Sequence, residues 1–230
     1  MAASSWTFKE IQDFVTDQLQ EVLSAPDMST HKIKKYINLG YVDFCRRTKM
    51  LTDSYDITTV ANQVSYSIYD ANFANVTHVR YIEDSSTEYG IPLRLFPGGF
   101  ANLPRDMEFG EPYYYWVRYT GDNTATEIGT VPVASTADET LTVWGYTLPT
   151  VLSTDNQTPL LKQDYQEAMI LYPVWKLCNA YAHKSKAIRE KAREARNEYI
   201  DLVQDALKDT SSFSTDDIST VDEYSAFDPF

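Results

Sequence analysis

The hydrophobic residues of this chain change their spacing twice, and that double change constrains the architecture more than any single motif. They recur at helical intervals up to about residue 49, fall into short strand-like runs from about 55 to 148, and return to helical spacing from about 163 to 208. Thr7 to Glu10 has the spacing of a capping box, and Phe8, Ile11, Val15, Leu19 and Val22 follow on one helical face. This pattern predicts a first helix ending near Ser24, before Pro26. Ser29 or Thr30 caps a second helix running to about Lys49, with Ile33, Ile37, Gly40, Tyr41, Phe44 and Cys45 on its apolar face. The two helices are expected to form a hairpin.

The central runs are Val64–Ile68, Val76–Ile82, Ile91–Phe96, Tyr113–Tyr119, Thr126–Val133 and Leu141–Tyr146. They follow one another too closely for crossover helices, so an antiparallel domain is expected. Phe96–Pro104, with turn residues at both ends, reads as an exposed loop. In the last helical stretch Pro173 marks a kink or a boundary, and Ile188, Ala192, Ala195, Tyr199, Leu202, Val203 and Ala206 form a stripe. The fold class that follows is α+β. Both chain ends, residues 5–50 and 162–208, form a helical bundle, and residues 51–161 are an antiparallel β domain inserted between them. Residues 209–230 are expected to be an extended acidic C-terminal arm.

Composition supports a globular chain. Of the 230 residues 43% are hydrophobic, with 17 Tyr, 10 Phe and 4 Trp, enough to build a core. Only 8 Gly are present, which argues against a fold centred on glycine-rich phosphate loops. The first residues lack the basic and apolar regions of a signal peptide, and no run approaches the roughly 18 apolar residues of a membrane span, so a soluble protein is expected. Cys45 and Cys178 read as buried free thiols of a reducing cytoplasm.

Charge is segregated along the chain, which has a formal net charge of -13. Residues 50–161 carry 14 acids against 4 Arg and no Lys, and residues 209–230 carry 6 acids and no base. The bases gather in two clusters, Lys32, Lys34, Lys35, Arg46, Arg47 and Lys49, then Lys184, Lys186, Arg189, Lys191, Arg193 and Arg196. Several cations on one face could neutralise phosphates, but Glu190, Glu194 and Glu198 interleave the second cluster. That interleaving favours a solvated or protein-facing surface over a nucleic-acid interface.

Signatures of catalysis are missing. His31, His78 and His183 are widely separated, without H-x-H, H-E-x-x-H or C-x-x-C, so no metal site is expected. Neither phosphate-loop nor dinucleotide fingerprints occur, G-x-S-x-G is absent, and a cysteine nucleophile would need a histidine delivered by the fold. The carboxylate pairs Asp53 with Asp56 and Glu108 with Glu111 are the kind that so acidic a domain produces by chance. We therefore expect no catalytic residue, no cofactor and no enzymatic activity, and a protein whose surfaces meet other surfaces.

The order of segments resembles the head-to-tail adaptor, or connector, proteins of tailed bacteriophages, especially short-tailed ones. The resemblance rests on I-K-K-Y-I-N-L-G at Ile33–Gly40, A-N-Q-V-S-Y-S-I at Ala61–Ile68 and V-T-H-V at Val76–Val79. It continues through G-E-P-Y-Y-Y at Gly110–Tyr115, L-T-V-W-G-Y-T-L-P at Leu141–Pro149, P-L-L-K-Q-D-Y at Pro159–Tyr165 and the helix Gln166–Leu207, covering roughly residues 28–208. Each motif is a turn or a pattern of buried side chains, so their order carries the weight. Asn62 stands where the family usually has Gly, and Asn also tolerates the left-handed backbone.

The resemblance implies a structural virion protein with no catalytic residues, assembled in the host cytoplasm as a dodecameric ring beneath the portal. It implies contacts with the portal protein and with tail nozzle or hub proteins, and genomic DNA passing through the ring without specific binding. No membrane partner is implied. Arg189, Arg193 and Arg196 on the last helix, with Phe213, Tyr224, Phe227 and Phe230 in the arm, are the expected interface residues. The alternatives are another phage neck or tail ring protein of terminator or baseplate type, and then a nucleic-acid-binding module using the basic clusters.

Overall fold

The computed structural model describes residues 5–24, 27–82, 90–121 and 124–211, Ser211 by its backbone alone. The chain divides into two compact units, one made of Met1–Met50 with Val151–Phe230 and the other of Leu51–Thr150. Mixed α and β structure is thus sorted by unit: among the described residues, four α-helices lie in the first and nine strands in the second.

In the helical unit, α1 (Phe8–Gln20) begins with the expected capping box, Thr7 and Glu10 each serving the other's backbone amide. Helix α2 (Thr30–Thr48) is capped by the Ser29 side chain and ends at Lys49 in the left-handed conformation. The last helical stretch is two helices, α3 (Ala168–Ala180) and α4 (Lys186–Ser211), and α3 packs against α1, α2 and α4. Pro173 lies inside α3, so it is not the boundary. The break falls at residues 181–185, where the Ser185 hydroxyl accepts the Ile188 amide at 3.2 Å and starts α4 afresh.

The expected domain boundary near residue 161 lies instead at 150. Residues 151–161 form a strap on the helical unit, held by polar groups that a hydrophobic pattern does not register. Asn38 of α2 donates to the Leu152 carbonyl at 2.9 Å and accepts the Leu152 amide at 2.8 Å. The Tyr41 hydroxyl accepts the Leu160 amide at 2.7 Å. The free amides of Phe8 and Lys9 in the first turn of α1 donate to the carbonyls of Gln157 and Asp155.

The β unit contains β1 (Thr52–Thr58), β2 (Tyr66–Ser67), β3 (Phe73–Ile82), β4 (Ile91–Leu95), β5 (Phe109–Gly110), β6 (Tyr114–Tyr119), β7 (Ala125–Val131), β8 (Val133–Ala134) and β9 (Thr140–Thr147). A seven-stranded sheet runs β1-β9-β3-β4-β6-β7-β2, and β5 pairs with β8. The strand pairing is mostly antiparallel, as expected, with two exceptions: β4 with β6, and β5 with β8, are parallel. Instead of a helix, the stretch 96–113, with a 3-10 turn at Gly99–Asn102, makes the crossover from β4 to β6. Strand β1, T-D-S-Y-D-I-T, was hidden by its polarity: it is an edge strand paired with β9, and most of its side chains face water.

Phe73, Val79, Tyr115, Ile128, Leu141 and Val143 centre the core of this unit. Asn62 has φ 64°, the left-handed turn expected in place of the usual glycine. Gly145 of β9 permits a close approach between strands, since a Cβ there would lie 2.5 Å from the Asn75 carbonyl oxygen and 2.6 Å from the Phe73 ring. Gly145→Ala is expected to lower the unfolding free energy of the β unit by about 1–3 kcal/mol, whereas Gly121→Ala, which meets nothing within 4 Å, is tolerated. Chemical denaturation of the two variants side by side checks this, and equal midpoints would contradict it.

Candidate functional site

The residues with chemical potential are dispersed. Among the described residues no group of three or more His, Cys, Asp and Glu side chains could hold a metal ion. His31 is exposed on α2, His183 is exposed between α3 and α4, and His78 is on β3, where it accepts a hydrogen bond from Arg80 Nε at 3.1 Å. Burial and that guanidinium lower the His78 pKa. Both cysteines are buried, and burial pushes the Cys45 thiol up to about 12 and the Cys178 thiol to about 11. Neither thiol is poised for nucleophilic attack. Asp53 and Asp56 are exposed on edge strand β1, and Glu108 and Glu111 are exposed on the crossover.

A denser arrangement lies where α2, α3 and α4 meet. The buried Tyr199 hydroxyl of α4 donates to Asp43 Oδ2 at 2.7 Å, and Arg47 Nε reaches the same oxygen at 2.8 Å. Burial, followed by the charge of Asp43 and this hydrogen bond, raises the Tyr199 pKa above the ordinary tyrosine range. Around this group the rings of Tyr172 and Tyr199 lie 5.5 Å apart, Tyr172 and Trp175 5.6 Å, and Phe44 and Tyr199 6.3 Å, in edge-on geometry. Lys176 Nζ sits 3.7 Å from the Trp175 centroid, and the Arg196 guanidinium lies 5.8 Å from it. Sequence patterning singled out Arg196 and missed Asp43, Tyr172, Trp175 and Lys176. The available cue was Gly40, because a glycine in mid-helix marks a close approach: a Cβ there would stand 2.8 Å from the Tyr172 Cβ.

The basic clusters are largely engaged within the unit. Lys34 pairs with Asp155 at 2.9 Å, Lys184 with Asp27 at 2.7 Å, and Lys191 with Glu21 at 3.4 Å. Lys32 Nζ donates to the Tyr181 hydroxyl at 3.0 Å, and the Lys184 ammonium lies 4.7 Å from the same ring's centroid. These contacts fasten the α1–α2 and α3–α4 connections to neighbouring helices, so such cations are not free for phosphates. Arg189 and Arg193 differ: both are exposed on α4, and neither has an ion pair among the described residues. Phe213, Tyr224, Phe227 and Phe230 lie outside the described residues.

Tyr199→Phe removes one hydrogen bond to Asp43 and is expected to cost about 1–3 kcal/mol at neutral pH. It also removes a pH dependence. Tyr199 and Tyr41, the latter pushed up to about 12 by burial, hold their protons more tightly when folded than when unfolded. Stability is therefore full below about 10, the unfolded tyrosine value, and falls as pH rises from there towards the folded values. Denaturant titrations from pH 8 upward are expected to show this decline, less steep in Tyr199→Phe; an equally steep decline would remove Tyr199 from the account.

Comparison with known proteins agrees with a surface-driven reading. No curated protein matches the chain. A family model described as SU10 adaptor protein matches residues 6–223, which takes in both halves of the helical unit and the whole β unit between them. The chain therefore belongs to the SU10 adaptor protein family, a family of structural phage proteins.

Proposed function

We propose that the chain is a head-to-tail adaptor of the virion, whose copies form a ring that joins the portal to the tail or nozzle and surrounds the DNA channel. The observation that carries this reading is the family match across residues 6–223 of a chain in which a β unit interrupts a helical one. In this reading the four helices form a bundle closed by both chain ends. It presents one surface to the portal while the β unit serves other partners.

The ring is dodecameric, assembles in the host cytoplasm and remains in the neck of the virion. DNA slides through it without specific binding, and acidic surface suits that role because it does not grip phosphates. The acids of residues 50–161 supply such surface. The protein performs no catalysis, in keeping with high thiol pKa values and dispersed histidines.

Residues 212–230 act as a docking arm on the portal or a neighbouring subunit. Helix α4 reaches Ser211, and the Tyr165 hydroxyl donates to Asp209, so the arm proper begins after that residue. Six aromatic or aliphatic residues from Phe213 to Phe230 are spaced along it as anchors.

Purified portal mixed with the protein is expected to gain an annular layer in negative-stain electron micrographs. Absence of any layer at micromolar protein would refute the adaptor reading. Deleting residues 212–230 is expected to leave a folded protein, checked by circular dichroism, that joins the portal weakly or not at all; unchanged portal binding would show that the arm is dispensable.

A further inference from the structure

Helix α4 has three sides. Ile188, Ala192, Ala195 and Tyr199 are buried and form the side turned into the helical unit. At about 100° per residue, Arg189, Arg193 and Arg196 fall on one flank of that stripe and Glu190, Glu194 and Glu198 on the other. All six are exposed. Each flank is wasteful for an isolated helix, because it stacks like charges at i, i+4 positions, and on the arginine side also at i, i+3, where opposite charges would support it. Internal contacts relieve little of this: Glu190 meets Lys186 at 3.4 Å, and Arg196 lies beside Trp175 with a further contact.

We infer that the two flanks of α4 are the mating surfaces between copies of this chain, the arginine flank of one copy lying against the glutamate flank of the next. The inference rests on the ring reading and specifies its subunit contact. A contact across a two-fold axis would set each flank against itself and bring like charges together. A head-to-tail contact sets each flank against the opposite one, and such heterologous contacts build rings. Axial height supports the match. Rotation about an axis parallel to α4 preserves height, and Arg189 and Glu190, like Arg193 and Glu194, differ by about 1.5 Å along the helix, and Arg196 and Glu198 by about 3 Å. With α4 running along the ring axis, every arginine meets a glutamate of the neighbouring copy at nearly its own level.

Cysteine trapping tests the pairing directly. Arg193→Cys and Glu194→Cys proteins, oxidised together at high protein concentration and low salt, are expected to give a mixed disulfide dimer, while either alone gives none. Cys45 and Cys178 are buried and contribute only the background measured in the wild type. Self-linking of either variant, or no mixed dimer, would overturn the inference. A second measurement uses Arg189→Glu with Arg193→Glu in one protein and Glu190→Arg with Glu194→Arg in another, each checked for folding by circular dichroism. Each is expected to fail to add a ring to the portal alone, and the equimolar mixture to restore it. Rings formed by each variant alone would sink the flank pairing and leave the adaptor reading intact, whereas wild-type protein that ignores the portal would sink the adaptor reading itself.

Discussion

Asp43 holds the helical unit together by accepting from two directions on one oxygen. Tyr199 reaches it from α4 and Arg47 from its own helix, so the carboxylate is neutralised by a guanidinium while it anchors a buried phenol. A buried hydroxyl without this partner would pay the desolvation penalty of an unmet hydrogen bond. The geometry is possible because α2 carries Gly40, which lets Tyr172 of α3 come close enough to pack edge-on against Tyr199. The placement of α4, and with it the direction of its charged flanks, depends on this one carboxylate and one missing side chain.

Cation–aromatic contacts extend the same lattice to the surface. Trp175 lies near both Lys176 and Arg196, so this half-buried ring is flanked by charge. Such contacts gain strength as water is excluded, which a neighbouring subunit would do. At the end of α3, Tyr181 plays a similar part between Lys32 and Lys184. The helical surface is thus rich in cations whose positions are fixed by aromatic rings and carboxylates of the same unit.

Much of this was legible in the sequence where the signal was local. Thr7, Glu10 and Ser29 set the starts of α1 and α2 by short-range capping, and the hydrophobic stripes of α1, α2 and α4 declared their buried faces. Asn62 declared its turn, because few residues accept that backbone. What the sequence hid were matters of partnership. Strand β1 is polar because it lies at a sheet edge, and the parallel pairing of β4 with β6 depends on where a crossover of irregular chain returns. The strap at residues 151–161 is fixed by Asn38 and Tyr41, whose partners are distant backbone groups. Of the proposed interface, Arg189, Arg193 and Arg196 were visible as a basic cluster, while the glutamates between them read as dilution of that charge; only helical geometry sorts the two signs onto separate flanks.

The β unit enters and leaves the helical unit through neighbouring strands. Its first strand, β1, pairs along its whole length with its last, β9, and the Thr147 amide donates to the Leu51 carbonyl at 2.9 Å beyond the end of that ladder. A segment whose two ends lie side by side behaves as a cassette, joined to its host in sequence only at Met50 and Val151. Descent within such a lineage is then free to exchange, lengthen or recharge the cassette while leaving the helical unit unaltered.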